Sequence, residues 1–404
     1  MSSRRDTAIM LAAHSFYRLS GFVLVMVLAR SLPPAEIGAF AFAMAFAESF
    51  VALANFGMHS VMSRQVAADH SSAEQRFAVI LGFRAVSGIA YVLVVMSVAL
   101  AFTSASWEIM LAASLIALAE DTYYSVGAMF LALRKAVYNV TIGVSVQTVF
   151  IGLFLLGMKL QPSLWMLIAA NAFRASALVA ISLWVTRVKL FRLRLSWDNS
   201  TIRIALPFVM MAVVTSLRDQ IGAVMLGILS SYDAVAYYNL VMRVSTASLA
   251  VPTAVCAVLS PLIVAHGLDA QNRRRMAMSA SLILGTALIG SLLAATISFP
   301  LAKVLYGPLA PETAPLLRIL ALMFPISFMA LFCALVLQAL FREVHVLRTL
   351  ILVAATNFAA NLILIPGYGA KGAIYAQLIA TALQLVILAW DVRSMLSREG
   401  QLAR

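Results

Sequence analysis

Arg218 and Asp219 stand side by side in the middle of "VVTSLRDQIGAVMLGIL" (213–229), a run otherwise apolar enough to enter a bilayer. A charge at the centre of a spanning helix costs roughly 2.5–3.5 kcal/mol, so such a charge normally faces water or a partner and serves a function. Eight other ionisable groups interrupt apolar runs in the same way: Arg18, Arg84, Arg174, Arg243, Glu48, Glu120, Asp121 and His14. Every cation among them except the histidine is arginine, whose planar fork stays ionised and matches phosphate oxygens two at a time. That choice predicts an anionic, phosphate-bearing ligand. The acids Asp219, Glu48, Glu120 and Asp121, with His14, could carry a coupling proton or pair with the arginines. His14 and Arg18 share a helix face one turn apart, which resists protonation of the histidine. Adjacent residues diverge by about 100° on a helix, so Arg218 and Asp219 are expected to aim at different surroundings.

The elements that must position these groups are transmembrane helices. Hydrophobic residues make up 63% and charged residues 11% of the 404 residues, against about 45–50% and about 25% in soluble chains. Glycine and proline are scattered through the apolar runs, and no run shows the alternation of a membrane β-barrel. At about 20 residues per span, twelve helices fit, near 7–31, 37–62, 77–102, 109–133, 136–158, 163–186, 204–229, 234–264, 277–303, 316–341, 344–365 and 370–392. The first is read as a span and not as a cleaved leader, because His14 and Arg18 interrupt it and no A-x-A-like site follows.

With both termini in the cytoplasm, 19 of the 29 Lys and Arg fall in cytoplasmic segments, five on the other side and five within spans. This is the asymmetry the positive-inside rule demands. It also accounts for the net charge of +13: the basic residues are spread over every cytoplasmic loop, "RVKLFRLRL" (187–195) and "RRR" (273–275) being densest, which suits anionic membrane lipid and not nucleic acid. Cys256 and Cys333 lie in different apolar runs, so no disulfide framework, metal or other cofactor is expected. No GxxxxGK[ST] phosphate loop is present.

Sliding the sequence by 198 residues lays "LARSLPPAEIGAFAFAMAF" (28–46) on "LGILSSYDAVAYYNLVMRV" (226–244). Each reads as a helix end, a polar turn, and a small residue with aromatics opening the next helix. Six spans per repeat send both halves in from the same side. The expected architecture is therefore all-α: twelve transmembrane helices in two six-helix lobes, 1–198 and 199–404, related by a parallel pseudo-two-fold axis along the membrane normal around a central cavity. In this register Arg18 falls on Ser216, one turn from Asp219, and Arg243 on Ala45, one turn from Glu48. Opposite charges would then face each other across the cleft.

The stretches "ARSLPPAEIGAFAFAMAFAESFVALANFGMHSVMSRQVA", "LSSYDAVAYYNLVMRV" and "TNFAANLILIPGYGAKGAIYAQLIAT" resemble the polysaccharide transporter family, which shares a superfamily with multidrug MATE exporters and the lipid II flippase. The likeness runs over nearly the whole chain through loose motifs: the glycine and aromatic opening, Asn55 to Gly57, and the late set Asn357, Asn361, Pro366, Gly367, Gly369 and Gly372. It implies a flippase of the bacterial inner membrane. Such a protein moves an undecaprenyl-diphosphate-linked oligosaccharide outward by alternating access, with membrane lipid, polymerase and glycosyltransferases as partners and cavity cations on the substrate. That role would fall to Arg18, Arg218, Arg243 and Arg174. Pro366 is expected to end a helix, with Gly367 and Gly369 forming the turn.

The alternative is a MATE-like cation-coupled exporter of small molecules. It should hold a carboxylate in the first span, where this chain has Arg18 and no acid between Thr7 and Arg30. A major-facilitator carrier should show G-x-x-x-D-R between its second and third spans, where "SRQVAADHSSAEQR" stands. An enzyme acting on lipid-linked sugars should carry catalytic groups on a large outer loop, and "YGPLAPETAP" (306–315) offers one acid, Glu312.

Overall fold

The computed structural model describes residues 2–58, 73–133, 135–186, 199–267 and 269–402, and among them no strand occurs. Among the described residues nine helices are long and apolar enough to cross a membrane, or ten if Ser298–Ala321 and Met323–Ala339, bent by 47° at their junction, form one broken span. The chain divides into two compact units, Met1–Gln220 and Ile221–Arg404.

The first unit holds α1 (Ser2–Ser31), α2 (Pro34–Asn55), α3 (Ala73–Phe102), α4 (Trp107–Ala132), α5 (Ala136–Leu160), α6 (Leu164–Thr186) and most of α7 (Asn199–Leu229). Local chemistry sets their ends. Pro34 opens α2, where its missing N–H would have had no partner anyway. Phe56 closes α2 in the left-handed region at φ 48°, donating its N–H to the Ala52 carbonyl. Glu36, in the first turn of α2, accepts the orphan Leu164 N–H of α6 at 3.0 Å, so one helix supplies another's cap. Packing runs α2 on α3 and α4, α4 on α6, α5 on α6, and α1 on α5. In its interior Tyr91 is fully buried and donates its hydroxyl to the Ala47 carbonyl at 3.0 Å. At Gly143 an added Cβ would collide with the Tyr17 and Tyr123 hydroxyls, so this glycine lets α1 and α4 side chains lie on α5.

The second unit contains α8 (Tyr232–Ser248), α9 (Ala250–His266), α10 (Ala270–Thr296), α11 (Ser298–Tyr306), α12 (Ala310–Ala321), α13 (Met323–Ala339) and α14 (Glu343–Leu402). Ser231 caps α8, its hydroxyl accepting the Ala234 N–H. The break at Leu249 between α8 and α9 sits just before Pro252, which has no N–H to offer the Ser248 carbonyl. Tyr306, fully buried, donates to the Leu240 carbonyl at 2.9 Å and ties α11 to α8.

The 60 residues of α14 are a hairpin. Asn357 donates its side-chain amide to Gln377 at 2.9 Å although the two lie 20 residues apart, a separation of about 30 Å along a straight helix. The reversal is made at Gly369, the one residue with non-helical angles (φ 54°, ψ −129°). The helix runs straight through Pro366, contrary to the expectation that this proline ends it. Proline forfeits its bond to the carbonyl four residues earlier and crowds that carbonyl, and here this falls in the last turn, three residues before the reversal at Gly369. Beyond the turn, Gly372 approaches the Leu364 backbone so closely that a Cβ there would overlap it. Asn361, fully buried on the same leg, donates to both the backbone and side-chain oxygens of Asn357 and so orients the amide that crosses to Gln377.

Candidate functional site

The intramembrane charges fall into distinct settings, and α4 shows two of them on adjacent residues. Asp121 accepts from Arg84 at 2.5 Å and from Asn55 at 3.2 Å. The Arg84 guanidinium also donates to Ser125 at 2.9 Å and Thr122 at 3.2 Å, and its side chain is only 3% exposed. This network fastens the end of α2 to α3 and α4, with Ser87 adding a bond to the Ala54 carbonyl at 2.7 Å. Its carboxylate is wholly engaged by protein.

Glu120, about 100° around the same helix, pairs instead with Arg174 of α6. Both side chains keep about a fifth of their surface, 21% and 22%. The Arg174 guanidinium lies over the Phe150 ring of α5, 5.4 Å from its centroid, a cation–π contact. Tyr17 and Tyr124, both exposed, lie within electrostatic reach of Arg174, and Tyr123 donates to the Asn139 carbonyl at 3.0 Å. Gln147 donates to Ser20 at 3.1 Å, joining α5 to α1 nearby. The outer sides of α4 and α6 form an apolar groove lined by Leu115, Leu118, Ala119, Val179, Leu183 and Trp184. By helical phase Glu120 and Arg174 point away from it, so this helix pair has a charged face and a hydrocarbon face.

On α7, Arg218 donates from Nε at 2.9 Å and from Nη2 at 2.6 Å to one oxygen of Asp219. The expectation that these neighbours address different surroundings is corrected. Their Cβ atoms diverge, but the long arginine stem curls back along the helix and the pair neutralises itself. Gln220 donates to Glu48 of α2 at 2.5 Å. Arg243, on α8, is exposed and has no ion-pair partner among the described residues. Arg18 and His14 belong to α1, and their side chains lie outside the described residues.

The structure thus brings together Glu120 with Arg174, and Glu48 with the 218–220 segment. Asn55, Phe150, Gln147 and Gln220 were missed as site residues. A scan for charge passes over neutral amides, yet a glutamine inside an apolar helix also demands a partner, and that demand is the signal that would have found Gln147 and Gln220. Among the described residues no group of three or more His, Cys, Asp or Glu is placed to hold a metal ion, and Cys256 and Cys333 are buried free thiols.

The fold is shared with solved transporters. The lipid II flippase MurJ in an inward closed conformation superposes with a TM-score of 0.79 at 13% identity, over 95% of this chain and 87% of that one. An inward-facing multidrug resistance MATE family transporter gives 0.69 at 11% identity over 96% of both chains. A MOP superfamily transporter from Pyrococcus furiosus, described as having a binding pocket of reverse polarity, gives 0.58 at 13% identity over 97% of this chain and 94% of that one. No curated protein matches it in sequence. Residues 3–266, well over half of the chain, match the family model described as polysaccharide biosynthesis protein, and this multi-pass helical membrane protein belongs to that family.

Proposed function

We propose that the protein is a flippase that carries an undecaprenyl-diphosphate-linked oligosaccharide from the cytoplasmic to the outer leaflet of a bacterial cytoplasmic membrane. The observation that carries this reading is Arg243: a guanidinium within a spanning helix, exposed, with no ion-pair partner among the described residues. Facing lipid it would cost roughly 2.5–3.5 kcal/mol, a cost offset where a wet vestibule offers it an anion. Family membership and the fold of a lipid II flippase support a lipid-linked substrate. Arg18, Arg218 and Arg174 are proposed to join Arg243 on the diphosphate, with Asp219, Glu48, Glu120, Asp121 and His14 as counter-ions or coupling groups.

The proposed frame is twelve spans in two six-helix lobes related by a parallel repeat, with both termini cytoplasmic. The α14 hairpin supports this count, since each leg is long enough to cross once, and so does the broken pair α12 and α13. Rocking of the lobes about a central cleft gives alternating access. Glycosyltransferases would supply the substrate and a polymerase would consume it.

A MATE-like exporter of small molecules is the second reading, favoured by the MATE superposition over 96% of both chains. Arg18→Gln, Arg218→Gln and Arg243→Gln, made singly in a host dependent on this chain for its surface polysaccharide, decide between them. The flippase reading expects lost polymer, with lipid-linked precursor accumulating at normal protein levels. Wild-type polymer in all three variants, with ethidium efflux depending on the chain, would sink it in favour of the exporter.

A further inference from the structure

We propose that Glu120 is a built-in stand-in for the substrate's phosphate on Arg174, held there between transport events and displaced when the diphosphate arrives. The inference rests on the flippase reading and assigns this pair a specific part in it.

The comparison on α4 carries it. Asp121 and Glu120 are neighbours, each facing an arginine from another helix, yet their surroundings differ. Asp121 and Arg84 are held by Asn55, Ser125 and Thr122 as well as by each other, and their side chains are 14% and 3% exposed. Glu120 and Arg174 meet through a single donor, Nη2, and both remain about a fifth exposed. Among the described residues no other hydrogen bond engages either group. Four of the five guanidinium N–H donors of Arg174 are thus uncommitted. The Phe150 ring lies 5.4 Å from the Arg174 Cζ and gives the cation a fixed neighbour that uses none of its N–H donors. An arginine beside an aromatic ring, with one of its five donors occupied by a partly exposed carboxylate, is equipped to take two oxygens of a phosphate.

The exchange gives selectivity. A ligand must outcompete a resident carboxylate, which a diphosphate can do with more charge and a two-point contact and a monocarboxylate cannot. It also gives release, because Glu120 returns to Arg174 as the substrate leaves, and a transport site must bind weakly enough to empty.

The test uses the full-length purified chain in detergent, with farnesyl diphosphate as the probe and titration calorimetry and thermal unfolding as readouts. Glu120→Gln is expected to bind the probe about tenfold more tightly than wild type, and Arg174→Gln about tenfold more weakly. The double variant should match Arg174→Gln. Palmitate, which wild type excludes, should gain measurable binding in Glu120→Gln. Unfolding of Glu120→Gln should stay near wild type, whereas Asp121→Asn, which breaks the enclosed pair, should fall. If Glu120→Gln weakens binding, or unfolds as readily as Asp121→Asn, Glu120 is a staple and the proposal is wrong. Binding that ignores both Glu120→Gln and Arg174→Gln but drops in Arg243→Gln removes this proposal and leaves the flippase reading standing. No binding of the probe by wild type removes both.

Discussion

Asp121 accepts a 2.5 Å hydrogen bond from Arg84 across the α3–α4 interface, and Arg84 is almost completely enclosed. Removing one partner of such a pair leaves a buried charge without compensation, at a cost of about 3–5 kcal/mol. Asp121→Asn should therefore lower the unfolding temperature in detergent markedly. Arg84→Leu with Asp121→Leu should recover most of the loss, since apolar replacements of a buried pair are often neutral. A double variant as unstable as the single would show that the charges themselves are needed.

The amide contact between Asn357 and Gln377 closes the α14 hairpin. In a double-mutant cycle with leucine at each position, the coupling should fall at about 0.6–1.7 kcal/mol, the range for hydrogen bonds between membrane helices. Gly369→Val places a β-branched side chain at φ 54°, ψ −129° and should add roughly 1–3 kcal/mol of strain. Thermal unfolding of the four cycle members and of Gly369→Val checks both figures.

Gly143 lies under the hydroxyls of Tyr17 and Tyr123. Gly143→Ala should destabilise by about 1–3 kcal/mol through overpacking. Tyr17→Phe in that background should return part of it, because the nearest clashing atom is the Tyr17 oxygen. Equal stability of Gly143→Ala and wild type would mean that α1 shifts freely against α5.

Topology can be read with single cysteines after Cys256 and Cys333 are replaced by alanine. A thiol at Tyr368, beside the hairpin turn, should react with an impermeant maleimide from outside the cell. Thiols at Arg342 and Arg393 should react only after permeabilisation. Any other labelling pattern at these three sites is incompatible with the twelve-span arrangement.

An outward-moving substrate with two negative charges gains about 2.3 kcal/mol per charge from a 100 mV, inside-negative potential. In vesicles energised to that value, collapsing the potential with an ionophore should reduce the outward accumulation of a short-chain diphosphate lipid sharply. Accumulation indifferent to the potential would mean that the transported complex is electrically neutral.

Much of this organisation was legible in the residues themselves. Composition and run length give the helices, which the structure shows over the described residues. The intramembrane charges mark where polar contacts must form, and Arg84, Arg174 and Asp121 all make them. Which charge meets which was not legible, because pairing depends on helix phase and on neighbours far along the chain. Glu120 and Asp121 differ by one position and select arginines from different helices. Arg218 defeated phase reasoning through the length of its side chain. At Pro366 a strong local rule gave way to position, since the turn waits three residues for Gly369. Neutral amides such as Gln147 and Gln220 escaped a reading by formal charge, although their need for a partner in an apolar helix is itself a signal.

The reversal at Gly369 has a mechanical implication. Two legs joined by one residue, tied by the Asn357–Gln377 amide bond and approaching backbone to backbone at Gly372, form a stiff strut that resists splaying. Bending within the second unit is then concentrated where helical continuity is already interrupted, at Leu249 between α8 and α9 and at Leu322 between α12 and α13. A cross-link at either break should therefore stiffen the second unit, while one placed across the strut should change little.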